Sequence, residues 1–356
     1  MEVCLKRGEI IIFTGIHLLL AVGMILALVF TLTNGLHDAS SVVATMIACR
    51  AATPIQAIFI VAIFGLLGVF FSGNQVADTV STIVSISPSV HLIHILIAAI
   101  FGAVVWNIVT WKLGIPSSST HALIGGLVGA AWTANGADSI LWGFSELFSG
   151  NHQIVGIVKI IVSLIFSPLL GFVIAFVIQK ISVLMLRNAK FNINRTINKL
   201  QWIVAAALAF SHGSNDSQKI TGLISLALIS AGIVKSQSLP PLIKIAVGLV
   251  MFIGTALGGW KIMKTIGNKI YDLRPIHSLN SMLSSGTSIL LATFTGAPVS
   301  TTHVVVGGIM GVGSADEYRM VNWNIGKEIV TAWFITMPFS AIASAIIYFL
   351  LNGGIF

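Results

Sequence analysis

Two short polar strings occur twice in this chain, in the same order and at nearly the same separation, and this duplication constrains the fold more than any single segment. "TNGLHDASS" at 33–41 pairs with "SHGSNDSQK" at 211–219, which sets Gly35 on Gly213 and Asp38 on Asp216 at an offset of 178. "GIPSSSTHALIGGLVG" at 114–129 pairs with "GAPVSTTHVVVGGIMG" at 296–311, which sets His121 on His303 at an offset of 182. Self-similarity of this kind marks an architecture assembled from equivalent units. The expectation is two homologous halves, 1–180 and 200–356, joined by a linker at 181–199.

The segments between these strings are unusually apolar. Of 356 residues, 56% are hydrophobic and 8% charged, where a soluble domain carries roughly 25% charged residues; the mean hydropathy is +0.98. Apolar runs cover approximately 10–32, 55–72, 91–111, 154–186, 200–210, 220–234, 241–260, 279–295 and 328–351, with shorter glycine-rich pieces at 121–132 and 303–313. Several reach the ~20 residues that a helix needs to cross a bilayer. The shorter pieces do not, and interrupted backbone at membrane depth is tolerated only inside protein or beside a polar cavity. Ile10 to Leu32 has the length of a span and no small-residue cleavage site, so it is read as a first membrane helix and not a signal peptide.

The net charge of +8 reports topology. The basic residues lie between apolar runs and form no aromatic-interleaved patch, so nucleic acid is excluded as a partner. Lys180, Arg187, Lys190, Arg195 and Lys199 share one stretch without an acid, which the positive-inside rule places in the cytoplasm. Lys261, Lys264, Lys269 and Arg274 form a weaker candidate, and Lys6 with Arg7 pull the N-terminus the same way. Cys4 and Cys49 are too few and too far apart for a disulfide framework or zinc site.

Duplicated halves with broken segments in corresponding places point to a secondary transporter whose site lies at the repeat interface. An odd number of crossings per half would make the repeats inverted. In "PSSSTH" and "PVSTTH", proline suits the first turn of a helix, and Ser118, Ser119, Thr120, Ser300, Thr301 and Thr302 put hydroxyls and free N–H groups at a positive helix end, an anion site. The glycines that follow allow close backbone packing. His121 and His303 are read as buried polar residues, and Trp106, Asn107 and Trp111 as packing or interface residues.

A carboxylate inside a span is normally functional or paired. Asp216 has a candidate partner in Lys219, three residues on; Asp38 has none at helical spacing. Two aspartates beside an oxyanion would repel it strongly in low dielectric, so a cation or proton must accompany the anion. Asn34, Asn215 and Ser41 could complete an oxygen cage for Na⁺, while His37 and His212 titrate near neutral pH and suit H⁺.

"NGLHDASSVVATMIACRA", "AFSHGSNDSQKITGLI" and "TGAPVSTTHVVVGG" resemble the duplicated signatures of the PiT family of inorganic phosphate transporters, in particular its bacterial low-affinity branch. The resemblance spans nearly the whole chain. It implies an all-α polytopic membrane protein of about 10–12 segments, with two inverted repeats, broken helices and re-entrant hairpins, in the cytoplasmic (inner) membrane. It implies symport of phosphate with H⁺ or Na⁺, with Asp38 and Asp216 on the coupling cation and the six Ser/Thr residues on phosphate or cation; beside what the resemblance implies, Lys219 is expected on the substrate side. No cofactor and no firmly assigned metal follow, although a divalent metal carried as a neutral metal–phosphate complex belongs to this branch. A homo-oligomer is left open. Ser41 stands where the family commonly has Asn, Ser217 where many relatives of the branch carry Gly, and Ser117 faces Val299 across the repeat. A sulfate permease of the same fold is the alternative within transport; a membrane-embedded metallohydrolase built on His37, Asp38, His212 and Asp216 lacks a nucleophile or HExxH-type motif, and a passive channel would show no cation dependence.

Overall fold

The computed structural model describes residues 2–149, 152–235 and 239–353, with side chains from residue 15 onward. The side chains of Cys4, Lys6 and Arg7 lie outside it. The first half runs α1 (Glu2–Ala48), α2 (Pro54–Phe70), α3 (Gln75–Ser81), α4 (Val90–Leu113), α5 (Ser119–Asn135), α6 (Phe144–Phe148) and α7 (Gly156–Leu186). The second runs α8 (Ile193–Ser230), α9 (Pro241–Leu257), α10 (Trp260–Asn268), α11 (Pro275–Phe294), α12 (Thr301–Glu317) and α13 (Trp323–Asn352). Except for the one-turn α6, the order repeats: α1 with α8, α2–α3 with α9–α10, α4–α5 with α11–α12, and α7 with α13. The pairs α2–α3 and α9–α10 are bent by 76° and 67° at short breaks. Proline interrupts α7 at Pro168 and α13 at Pro338.

Sequence expectation and structure part company at the polar strings. The apolar runs 200–210 and 220–234 are one helix of 38 residues, roughly 57 Å long at 1.5 Å per residue, which passes straight through "SHGSND". Likewise α1 continues past Leu32 through "NGLHDA" to Ala48. Polar side chains do not break a helix whose backbone hydrogen bonds are already internal; they need only find partners on neighbouring helices. The linker is also shorter than 181–199, because α7 and α8 extend into it and leave only 187–192 between them. Among the described residues four helices are long and apolar enough to cross a membrane, or six if each bent pair counts as one span. The lower end of the expected 10–12 segments is reached when α5, α8, α11 and α12, too polar or too short to pass that test, are included.

Breaks occur where local chemistry demands them. α4 ends on Gly114 at φ 70° and Pro116 follows; Gly296, at φ 66°, follows α11 and precedes Pro298. Glycine in the left-handed region closes the helix and proline prevents its resumption. Each break is the tip of a hairpin, α4–α5 and α11–α12, whose arms pack on one another.

The two halves interpenetrate. α2 and α3 pack on α8, whereas α9 and α10 pack on α1; α7 packs on α11 and α12, whereas α13 packs on α4 and α5. Between helices in lipid, close van der Waals contact replaces the hydrophobic drive, and the duplicated glycines supply it. A Cβ on Gly35 would stand 2.7 Å from the Met251 carbonyl oxygen of α9, and one on Gly213 would stand 2.1 Å from the Gly65 oxygen of α2. Gly125 meets the backbone of Met337 in α13 as Gly307 meets that of Pro168 in α7. Gly35, Gly213, Gly125 and Gly307 are therefore seams where one half grips the other.

Candidate functional site

Both hairpin tips deliver a helix N-terminus to the middle of the molecule. The Ser118 hydroxyl accepts from the backbone N–H of His121 at 3.1 Å, and Ser300 from that of His303 at 3.4 Å, so each caps its helix. Ser119, Thr120, Thr301 and Thr302 then fall in the first turn, all buried. The second tip is held by Asn215. Its Nδ2 donates to Thr293 Oγ1 at 2.9 Å and to the Ala297 carbonyl at 3.2 Å, and its Oδ1 accepts from Val299 N at 3.3 Å. The first tip is held within its own hairpin, where Ser117 donates to Thr110 Oγ1 at 2.8 Å.

Asp38, contributed by α1 and 1% exposed, is surrounded by oxygen. The Ser119 hydroxyl contacts its Oδ2 and also lies 2.5 Å from Asn34 Oδ1, with one proton to give between them. Thr302, from the other half, donates to Asp38 Oδ1 at 2.8 Å, and its Oγ1 is 2.9 Å from the Ser41 hydroxyl. No basic side chain contacts Asp38 among the described residues. An anionic carboxylate with oxygen neighbours on both sides is a hard-cation environment.

Asp216, on α8 and 2% exposed, has the same neighbours in kind but a different outcome. Lys219 Nζ donates to Asp216 Oδ1 at 2.6 Å, to Thr120 Oγ1 at 2.7 Å and to the Val299 carbonyl at 2.6 Å. An ammonium has three donors, and all three are used. Asn34 Nδ2 donates to Asp216 Oδ2 at 3.0 Å, and His212 Nδ1 stands 3.4 Å from the same oxygen and 3.0 Å from Thr301 Oγ1. Asn34 thus bridges the two carboxylates, touching Asp216 directly and Asp38 through Ser119. Counted with both carboxylates ionised, Asp38, Asp216 and Lys219 carry a formal net charge of −1, which low dielectric makes costly unless a proton or cation joins them.

The sequence candidates divide accordingly. Asp38, Asp216, Asn34, Ser41, His212, Ser119, Thr120, Thr301, Thr302 and Lys219 converge. Ser118, Ser300 and Asn215 are spent on caps and the tip. His37 turns away: its Nε2 donates to the Asn107 carbonyl at 2.7 Å, beside Thr110 at 3.3 Å, while its Nδ1 has no partner among the described residues. Asn107 is the residue that sequence reading undervalued. It is fully buried, holds His37 and donates to Thr33 Oγ1 at 3.2 Å, and its own Oδ1 has no partner among the described residues. An asparagine within an apolar run was the available signal. The His121 and His303 rings lie 4.5 Å apart at a tilt of 43° and His303 stacks on Trp333 at 3.5 Å; both histidines line a mainly apolar cavity of about 580 Å³ that Pro168 and Pro338 also line. Among the described residues no three His, Cys, Asp or Glu are grouped to hold a metal ion.

Comparison with known proteins follows the same duplication. The phosphate transporter family matches the chain at residues 34–195 and again at 185–344. A probable low-affinity inorganic phosphate transporter of Rhizobium meliloti is 40% identical over 333 residues, covering 93% of this chain and 96% of that relative. One from Bacillus subtilis is 38% identical, covering 92% and 96%. A solved structure described as the sodium-dependent phosphate transporter superposes with a TM-score of 0.83 at 26% identity, covering 95% of this chain and all of that one.

Proposed function

The chain belongs to the phosphate transporter family, a multi-pass membrane protein and not an enzyme, and from that premise we propose that it is a symporter whose coupling cation binds at Asp38. The carrying observation is the charge count of the buried cluster: two carboxylates and one fixed ammonium, which is paired with Asp216, while the contacts of Asp38 are hydroxyls. Phosphate brings further negative charge to the adjoining N-termini of α5 and α12, where first-turn N–H groups suit an oxyanion and the Ser119 and Thr302 protons, given to Asp38 in this structure, would turn to it once a cation takes that carboxylate. Without a cation the anion would meet an uncompensated carboxylate in low dielectric. With one, the repulsion disappears, and coupling follows from electrostatics.

The all-oxygen surroundings of Asp38 suit Na⁺ or a proton carried on the carboxylate, and the solved neighbour is described as sodium-dependent. A divalent metal travelling with phosphate would add positive charge at the same place. The basic residues of 180–199 put that end in the cytoplasm, and the cytoplasmic membrane is the expected site of action. The remaining polar contacts have mechanical roles: Asn215 fixes the second tip, Ser118 and Ser300 cap α5 and α12, and the Pro-interrupted α7 and α13 support the hairpins from the opposite halves.

Proteoliposome uptake of labelled phosphate under imposed Na⁺ or H⁺ gradients tests this. The expected outcome is accumulation driven by one of these gradients, resistant to excess sulfate and lost in Asp38→Asn with the protein still inserted. Gradient-driven uptake retained in Asp38→Asn would overturn the assignment.

A further inference from the structure

The repeat correspondence places Lys219 opposite Ser41, since both lie three residues beyond their aspartate. It also places Thr120 opposite Thr302 and Val299 opposite Ser117. The three oxygens that surround the Lys219 ammonium, from Asp216, Thr120 and Val299, therefore have counterparts in Asp38, Thr302 and Ser117. Two of these counterparts are in contact, Thr302 Oγ1 with Asp38 Oδ1 at 2.8 Å, and the Ser41 hydroxyl joins them through Thr302 at 2.9 Å. One copy of this arrangement contains a positive charge tethered to the chain. The other contains a neutral hydroxyl in its place.

A carboxylate, a threonine hydroxyl and a main-chain carbonyl within 2.6–2.7 Å of one positive centre make up an oxygen cage of the type that binds a monovalent ion. Lys219 fills its cage completely, because each N–H has an acceptor. Lys219 is 2% exposed and its ammonium is bound on all donors, so it is not positioned to exchange with solvent or to release a hydrogen bond to a substrate. It behaves as a cation that never leaves.

We propose that the Lys219 ammonium stands in for a second coupling cation, so that a single free monovalent cation, bound at Asp38, moves with each phosphate. This rests on the assignment of Asp38 as the coupling site. Two equivalent aspartates in a duplicated transporter would ordinarily call for two mobile cations to balance them. Here one of the two is covalently supplied, and only Asp38 must be neutralised and released in every cycle. Lys219→Ser, which matches Ser41 in the other half, should restore the second requirement.

The test is the order of initial phosphate uptake in the driving cation, measured in proteoliposomes at zero membrane potential. Na⁺ is varied in one arm, and pH is varied at constant monobasic phosphate in the other. The full-length protein is expected to give an order near one. Lys219→Ser is expected to be slow at low cation, to recover several-fold as cation rises, and to approach an order of two. A thermal-unfolding series of detergent-purified Lys219→Ser against the same cation covers the case of weak activity: its midpoint should rise with cation more steeply than that of the unmodified protein. An order near two in the unmodified protein would overturn the proposal, as would a Lys219→Ser protein with unchanged order or a midpoint indifferent to cation. Asp38→Asn separates the two levels of argument. If it still takes up phosphate in response to the gradient, the coupling site itself is wrong; if it is inactive while the unmodified protein shows an order of two, only the role of Lys219 fails.

Discussion

The α4–α5 and α11–α12 hairpins share a turn, a proline, a serine cap and a glycine-rich second arm, yet they are backed differently. As far as Ala103 the buried face of α4 is apolar, with Ile95, Ala98, Ala99 and Ala103 in the core. The corresponding face of α11 carries Ser278, Ser281, Ser284, Ser285 and Ser288, all buried. Ser284 and Ser285 donate to the Ser281 carbonyl and Ser288 to that of Ser284, at 2.8–2.9 Å. The hydroxyls of Ser281, Ser284 and Ser285 gather on Gly308 of α12, each 3.0–3.1 Å from where a Cβ would stand. Separating α12 from α11 would expose hydroxyls that water can satisfy, whereas separating α5 from α4 would expose methyl groups. A duplicated frame can thus assign different work to its copies by changing the filling and not the skeleton. The same contrast holds at the carboxylates, where Lys219 faces Ser41.

Breaking the contrast at the carboxylates should have the largest effect. Asp216→Asn leaves the Lys219 ammonium buried without its counter-charge, and removing one partner of a buried ion pair costs roughly 3–5 kcal/mol. Asp38→Asn strands no charge and is expected to cost about 1 kcal/mol or less, the scale of a weakened neutral hydrogen bond, while abolishing accumulation. Thermal unfolding of both variants in detergent, read beside gradient-driven uptake, checks this; equal stability losses would remove the distinction between the sites.

An intermediate effect is expected along the hairpins. Single cysteines at Ser285 and at Ala99, in a chain with Cys4 and Cys49 replaced, should react differently with a membrane-impermeant thiol reagent during turnover. The Ser285 site is expected to label several-fold faster in the presence of phosphate and cation, and the Ala99 site to stay protected. The opposite order would assign the mobile hairpin to the first half.

The smallest effect should come from the open ends of the hairpins. His277 Nε2 lies 3.2 Å from Asp316 Oδ2 and the Tyr271 hydroxyl donates to the same oxygen at 3.2 Å, tying the start of α11 to the end of α12. In the first half His91 Nε2 meets the neutral Asn135 Oδ1 at 2.6 Å, with Tyr348 beside it. Burial and the Asp316 carboxylate push the Tyr271 phenol up to about 12, so it stays protonated and donating across the physiological range. Because Asp316 is 21% exposed on its side chain, Asp316→Asn is expected to cost no more than about 1 kcal/mol and to make the second clasp resemble the first, measured as thermal stability at fixed pH.

Much of the site was legible before any coordinates. Repetition exposed Asp38 and Asp216, because an ionised group retained twice in an apolar chain is hard to explain as filler. The hydroxyl strings announced helix N-termini, since serine after a Gly-x-Pro turn is a capping pattern. What was not legible was allocation. Ser118 and Ser119 are adjacent and chemically identical, but one caps α5 and the other reaches Asp38. His37 and His212 recur one helical turn apart in the aligned motifs, yet one faces Asn107 and the other Asp216. Nothing local separates them, because the deciding partners lie on other helices.

Composition and repetition therefore determined the solvent, the duplication and the set of chemically expensive residues, since each is a property of neighbours in sequence. Only the tertiary structure decided that α1 and α8 run unbroken through their polar strings, that the halves interpenetrate, and that Lys219 saturates its donors. The contacts responsible join residues far apart in the chain, Thr302 to Asp38 across 264 positions and Asn34 to Asp216 across 182. A hydrogen bond is won or lost within a few tenths of an ångström, and that precision comes from how whole helices pack.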